Sequence, residues 1–197
     1  MQKEFFDFYK ELYDREITRK QEVEAGMSST VSLMALLFAF CAYYFLNWPD
    51  NGLIQKSFIF YCIFAFLFIF GGMLFIVAII DIAKFYKMSG LVVLDNAEKL
   101  DEYYRNTIIP HCETYNLEDH KQEFFNAIQL EYIRTSSENA NRNDAMSDLH
   151  YKARKCLFFA SILFAVAFAP YFVCMGDELN MMKMDIHKTV EIPIQQR

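Results

Sequence analysis

Hydrophobic positions fall into two regimes along this chain. In three stretches they run together without interruption, and elsewhere they recur every three or four residues among charges. Phe58 to Ile80 is a run of 23 uncharged residues (FIFYCIFAFLFIFGGMLFIVAII), about 35 Å of helix at about 1.5 Å per residue, which matches a bilayer hydrocarbon core of about 30 Å. Met27 to Leu46 and Cys156 to Met175 are further runs of 20. These runs predict three transmembrane helices, over 27–46, 58–80 and 156–175. A water-soluble protein with three core helices would instead need the polar remainder to cover three rods that are apolar all round.

Outside the spans the period is that of an amphipathic helix. In residues 1–26, Phe5, Phe6, Phe8, Tyr9, Leu12, Tyr13 and Ile17 are separated mainly by three and four, with charges between them. Seven of the 12 charges in this stretch are acidic, which favours packing against protein over lying on anionic lipid. Only Gly26 interrupts the run into the first span, so 1–46 reads as one rod with Gly26 as a hinge. Residues 81–155 show no strand-like alternation. Leu91–Tyr104 reads as a helix that ends before Pro110, Leu117 to Ile133 as a second, and the polar stretch Thr135–His150, free of Gly and Pro, as a third that leads into the last span. The fold class is therefore all-α: an integral membrane protein with three transmembrane helices and a small helical cytoplasmic region. The tail 176–197 is apolar for a free end and suits a strand or the outer leaflet.

Charge sets the orientation. Arg15, Arg19, Lys20, Lys84, Lys87, Lys152, Arg154 and Lys155 flank the spans on one side, against Lys56, Lys183 and Lys188 on the other. The positive-inside rule then places the N-terminus of this multi-pass protein in the cytoplasm. Trp48-Pro49-Asp50-Asn51-Gly52 reads as the turn of a tight hairpin between the first two spans. The first 26 residues are charged throughout, so the first span reads as a retained signal anchor. A net charge of −6 and the absence of a basic block argue against direct nucleic-acid binding, which depends on Lys and Arg neutralising phosphates. Four of the five cysteines fall in the spans and none sits in a CxxC pair, so they read as apolar fillers.

Chemistry is sparse. His111, Cys112, Glu113, Glu118, Asp119 and His120 are types that ligate metals or move protons, but they lack metal-ligand spacing. No phosphate loop and no nucleophile–base motif is present. The expectation is no enzyme, no cofactor and no metal. Span interiors carry no charge, so neither a proton relay nor a voltage sensor is expected. Small residues at helix-packing spacing, Ala35, Ala39, Gly71, Gly72, Ser161, Ala165 and Ala169, point to close helix association and a homo-oligomer in membrane lipid. A pore through such an assembly would be hydrophobic and unselective. In the polar helix, Ser136, Asn139 or Ala140, Asn143, Ser147 and His150 form a seam, read either as a solvated face or as amides that fix the register of an oligomer.

The segments FYKELYDREITRK and EYIRTSSENANRNDAMSDLHYKARK, the short hairpin and the terminal Ala-Pro-Tyr-Phe of the third span resemble, in layout, a group of small bacterial membrane proteins encoded beside anti-phage systems such as retrons and nucleotide-signalling operons. The resemblance implies a membrane effector that a cytosolic partner encoded nearby holds silent, and that assembles in the inner membrane and depolarises the cell once infection is sensed. A membrane sensor or anchor that recruits a soluble killer is the alternative. By position, Tyr9, Tyr13, Arg15, Arg19 and Lys20 would form the juxtamembrane part, and Asn139, Asn143, Lys152, Arg154 and Lys155 the helix that faces the signal or partner.

Overall fold

The computed structural model describes residues 2–48 and 58–190, with side chains for 4–48 and 58–174. Every element among the described residues is helical: α1 (Gln2–Leu46), α2 (Phe58–Met88), α3 (Ala97–Tyr103), α4 (Ile109–Tyr115) and α5 (His120–Val190), with one π-helical turn (Tyr104–Ile108) between α3 and α4. Three of these helices, α1, α2 and α5, are long and apolar enough to cross a membrane. The chain divides into a polar unit, Met1–Met27 with Ala83–His150, and an apolar unit, Ser28–Ile82 with Tyr151–Arg197.

In the apolar unit the helices meet through positions that alternate by three and four. On α5 the buried set is Ala153, Leu157, Ala160, Phe164, Ala167, Tyr171 and Cys174; on α2 it is Phe64, Gly71, Phe75, Ala78 and Ile82. A seven-residue repeat of this kind is the signature of left-handed, knobs-into-holes packing. Tyr44 of α1 sits where all three helices meet: its ring touches Phe64 at 5.6 Å, Phe68 at 5.9 Å and Tyr171 at 5.1 Å. Its hydroxyl donates to the carbonyl of Phe164 at 3.0 Å. Outside this seam the helices are largely exposed among the described residues. Only 17%, 22% and 33% of the most apolar stretches of α1, α2 and α5 are buried, leaving residues such as Phe45 and Ile59 at 74% and 72% exposure. Outer faces of this kind suit lipid and would be costly in water. Pro170, inside α5, has no N–H to give to the preceding turn.

The polar unit runs α1 parallel to α5. Phe6 stacks on Phe125 at 4.5 Å, Tyr13 meets Tyr132 edge-on at 5.6 Å, and Arg19 pairs with Asp144. Gly26 is not a hinge, because α1 passes through it unbroken. A Cβ there would meet His150 Cε1 at 2.9 Å, so the glycine makes room for the imidazole. The helix expected from Leu91 begins only at Ala97, capped by the Asn96 side chain, which accepts from Lys99 N–H at 3.0 Å. The residues before it form no regular element, and α5 side chains bond the backbone of two of them, Gly90 and Val92. The helix expected to end before Pro110 instead continues through it. Ile109 N–H reaches back five residues to Tyr104 O, and the widened turn relieves the clash that a proline ring makes with the preceding turn. Asn116, in the left-handed region at φ 54°, then ends α4.

Beyond Met175 the backbone remains helical to Val190, so the strand considered for the tail does not form there. The Pro49–Gly52 part of the hairpin turn and residues 191–197 lie outside the described residues.

Candidate functional site

The residues singled out by sequence separate into three places. The first is the inner seam of the apolar unit. Gly71 belongs here: it is buried, and a Cβ built on it would lie 2.9 Å from Phe164 Cε1 and 3.2 Å from Cδ1. Gly72, its neighbour, has nothing within 4 Å of the same position. The pair therefore does not act as one packing motif. Gly71 lets α2 approach α5 of the same chain, and Gly72 faces open space.

The second place is an open groove between α1 and α5 of the apolar unit. Ala35, Ala39, Ala165 and Ala169 are all exposed, and Ser161 is half-buried with its hydroxyl donating to Phe158 O at 2.7 Å. Two adjoining cavities follow the groove, of about 370 and 450 Å³. They share Leu36, Phe40, Tyr44 and Phe168, with Ala39 in the wall of one and Ser161 and Ala165 in the wall of the other. The structure thus brings Ala39, Ser161 and Ala165 together on one surface. Among the described residues, Ala39 and Ala165 on that surface are exposed, while Tyr44 and Phe164 in its floor are buried in the inner seam.

The third place is the buried polar layer of the polar unit. Asn139 is fully buried, and its amide reads both backbone groups of one residue: Nδ2 donates to Val92 O at 2.9 Å, and Oδ1 accepts from Val92 N–H at 3.0 Å. Arg142, one turn on, donates to Gly90 O at 3.0 Å. Asn143 is also buried, its Nδ2 donating to Glu16 O at 2.8 Å and to Glu16 Oε2 at 3.1 Å. Both amides are therefore spent inside the chain, which corrects their assignment to a partner-facing surface. Arg154 and Lys155, assigned to the same surface, are exposed in the apolar unit.

Sequence reasoning missed Glu16. Its side chain is 7% exposed beside Arg19 at 3.5 Å, and only its place in the three–four repeat with Tyr9, Tyr13 and Lys20 could have flagged it. The Arg19 guanidinium is held above its usual pKa, chiefly by its hydrogen bond to Asp144. Buried charge in this layer is thus met by both an amide and a cation, which is what makes it tolerable.

The His111–His120 segment forms no metal centre: among the described residues no group of three His, Cys, Asp or Glu is placed to hold an ion. The His111 ring lies tilted against Tyr115 with centroids 4.7 Å apart, and Cys112 is buried. Burial pushes the Cys112 thiol above its usual pKa, with Glu123 and Asp119 adding to the rise. A thiol so placed stays protonated and is a poor nucleophile.

Comparison of the chain with known protein families, curated proteins and solved structures finds no match in any of the three.

Proposed function

We propose that this chain is a non-enzymatic membrane effector of bacterial anti-phage defence. In this reading the apolar unit lies in the inner membrane with the N-terminus cytoplasmic. Copies associate through their outer faces, and the assembly lets ions leak when a cytosolic partner acts on the polar unit. The observation that carries the reading is the division of labour among small residues. Gly71 is consumed by packing within the chain, while Ala39 and Ala165 stay exposed in the walls of an apolar groove, and Ala35 and Ala169 are exposed on the same two helices. Small residues let helices approach closely where lipid offers no hydrophobic drive to associate, so placing them outward serves a contact with another helix. The flanking Lys and Arg residues support the orientation, and the likeness in layout to defence-associated membrane proteins supports the setting.

The test is expression of the full chain in bacteria, alone and with its genomic neighbours, while following growth and a potential-sensitive dye. The expected result is loss of membrane potential and arrest of growth when the chain is released from its partner. Unchanged potential in every combination under phage challenge would refute the effector reading. That result would favour the alternative of a sensor or anchor recruiting a soluble partner, for which the exposed Phe5 and Phe8 on the polar part of α1 offer a docking face.

A further inference from the structure

We propose that the α1/α5 groove of the apolar unit receives the outer ridge of α2 from a second copy, with Phe66 and Phe70 seated in its two adjoining cavities. The inference rests on the membrane reading above and names the contact through which copies would meet.

Three observations join here. The groove is open and apolar, with the small side chain of Ala39 in the wall of one cavity and that of Ala165 in the wall of the other, where larger side chains would take up space. On α2, Phe66 and Phe70 are one turn apart and stacked nearly parallel, with ring centroids 6.2 Å apart and planes 8° apart. They are 67% and 48% exposed, and they form a pre-ordered pair of knobs along an i, i+4 ridge. The third observation is depth. Tyr44, in the groove wall, touches Phe64 and Phe68, and Phe68 in turn touches Phe164 at 5.8 Å. Phe66 and Phe70 are the next residues out on the same turns of α2, so ridge and groove lie at one level along the helix axes. Two copies side by side in a bilayer are held at equal depth, and only features at matching depth can meet.

Packing supplies the energy. An empty groove forfeits dispersion contacts along its walls, and mobile acyl chains fill it less well than two rigid rings that have little rotamer freedom to lose. Ridge and groove lie on different faces of one copy. The contact is therefore head-to-tail, and it builds a ring if the rotation closes or an open row if it does not.

The test is photo-cross-linking of the full chain in inner-membrane vesicles with p-benzoylphenylalanine in place of Phe66 or Phe70. An adduct of twice the chain mass, joined to a peptide that contains Ala39 or Ala165, is expected. Ala39→Leu and Ala165→Leu should abolish that adduct. Both residues are exposed, so helicity and thermal midpoint in detergent should stay at the parent value. Adducts to lipid only, adducts between α2 ridges, or an adduct that survives both leucine substitutions would overturn the proposal. Failure here is separable from failure of the effector reading: depolarisation without the adduct sinks the interface alone, and the adduct without depolarisation sinks the effector reading alone.

Discussion

Adjacent glycines with opposite surroundings allow a clean test of the apolar unit's packing. Gly71→Ala places a methyl 2.9 Å from Phe164 Cε1 and 3.2 Å from Cδ1, with Leu163 Cβ at 3.4 Å, whereas Gly72→Ala places one in open space. Phe164 has little freedom to yield. It is 2% exposed, its ring touches Phe68 at 5.8 Å, and its carbonyl accepts the Tyr44 hydroxyl. Overpacking a close-fitted interior costs about 1–3 kcal/mol, while replacing a mid-helix glycine by alanine returns up to about 1 kcal/mol. Gly71→Ala should therefore be destabilising by a net ~0–2 kcal/mol, and Gly72→Ala neutral or stabilising by up to about 1 kcal/mol. The helix-propensity term is common to both variants. Their difference, about 1–3 kcal/mol, isolates the contact with Phe164.

Trp48 is the chain's single tryptophan, and it lies 5.2 Å from Phe64 and 5.6 Å from Phe68. Its fluorescence during denaturant unfolding in mild detergent reports directly on this packing. The Gly71→Ala midpoint should fall below that of Gly72→Ala, and trimming the ring with Phe164→Leu in the Gly71→Ala background should recover part of the loss. Equal midpoints for the two alanine variants, or a larger loss at Gly72, would refute the α2–α5 contact described here.

In the polar unit, Asn139→Leu strips Val92 of both its backbone partners. Leaving buried polar groups unpaired costs about 1–3 kcal/mol, so the amide of Val92 should exchange with deuterium about tenfold to a hundredfold faster by mass spectrometry, and an unchanged rate would show that the amide does not hold the strap. Asn143→Leu leaves the Glu16 carboxylate with Arg19 as its remaining described partner and should cost about 1–3 kcal/mol in thermal unfolding; Glu16→Leu combined with Asn143→Leu should recover most of it, because both members of the pair then become apolar. Cys112 should resist maleimide at neutral pH until the unit is unfolded. Its raised pKa means that the folded unit holds the thiol proton more tightly than the unfolded chain does. The stabilisation is thus complete below the ordinary thiol pKa and is lost as pH rises through the raised value. Rapid labelling of the folded protein at pH 7 would contradict the burial.

Much of the architecture was legible in the pattern of residues because it depends on local causes. Long uncharged runs become helices whatever surrounds them. The stretch Thr135–His150 has no residue that could stop one, and it lies inside α5. Gly26 and Pro110 show where local reasoning stops. Both are helix breakers by intrinsic preference, yet the structure accommodates each for a reason set by a neighbour: the ring of His150 in one case and a π turn in the other. Leu91–Asn96 fails in the opposite sense. It runs without a breaker into the helical stretch that follows and so reads as helix, but Asn139, about 50 positions away in sequence, takes up both backbone groups of Val92, and Arg142 takes the carbonyl of Gly90 just before it.

The candidate site divides along the same line, and the reason lies in which signal each environment leaves in a sequence. In a water-facing helix, polarity marks the outside. That signal misleads at Asn139 and Asn143: their spacing on one seam could be read, but both are buried against partners within the chain, the Val92 backbone and Glu16. In α2 nearly every residue is apolar, so no face is distinguished by composition, and Gly71 and Gly72 look equivalent on paper. What separates them is one aromatic ring on α5. For a helix apolar all round, the inward face is fixed by volume rather than by polarity, and it emerges only when the opposing side chains are in place. The same holds for Ala39 and Ala165: exposed among the described residues, they cannot be told by composition from the buried Ala160 and Ala167, and only the opposing helices separate the two sets.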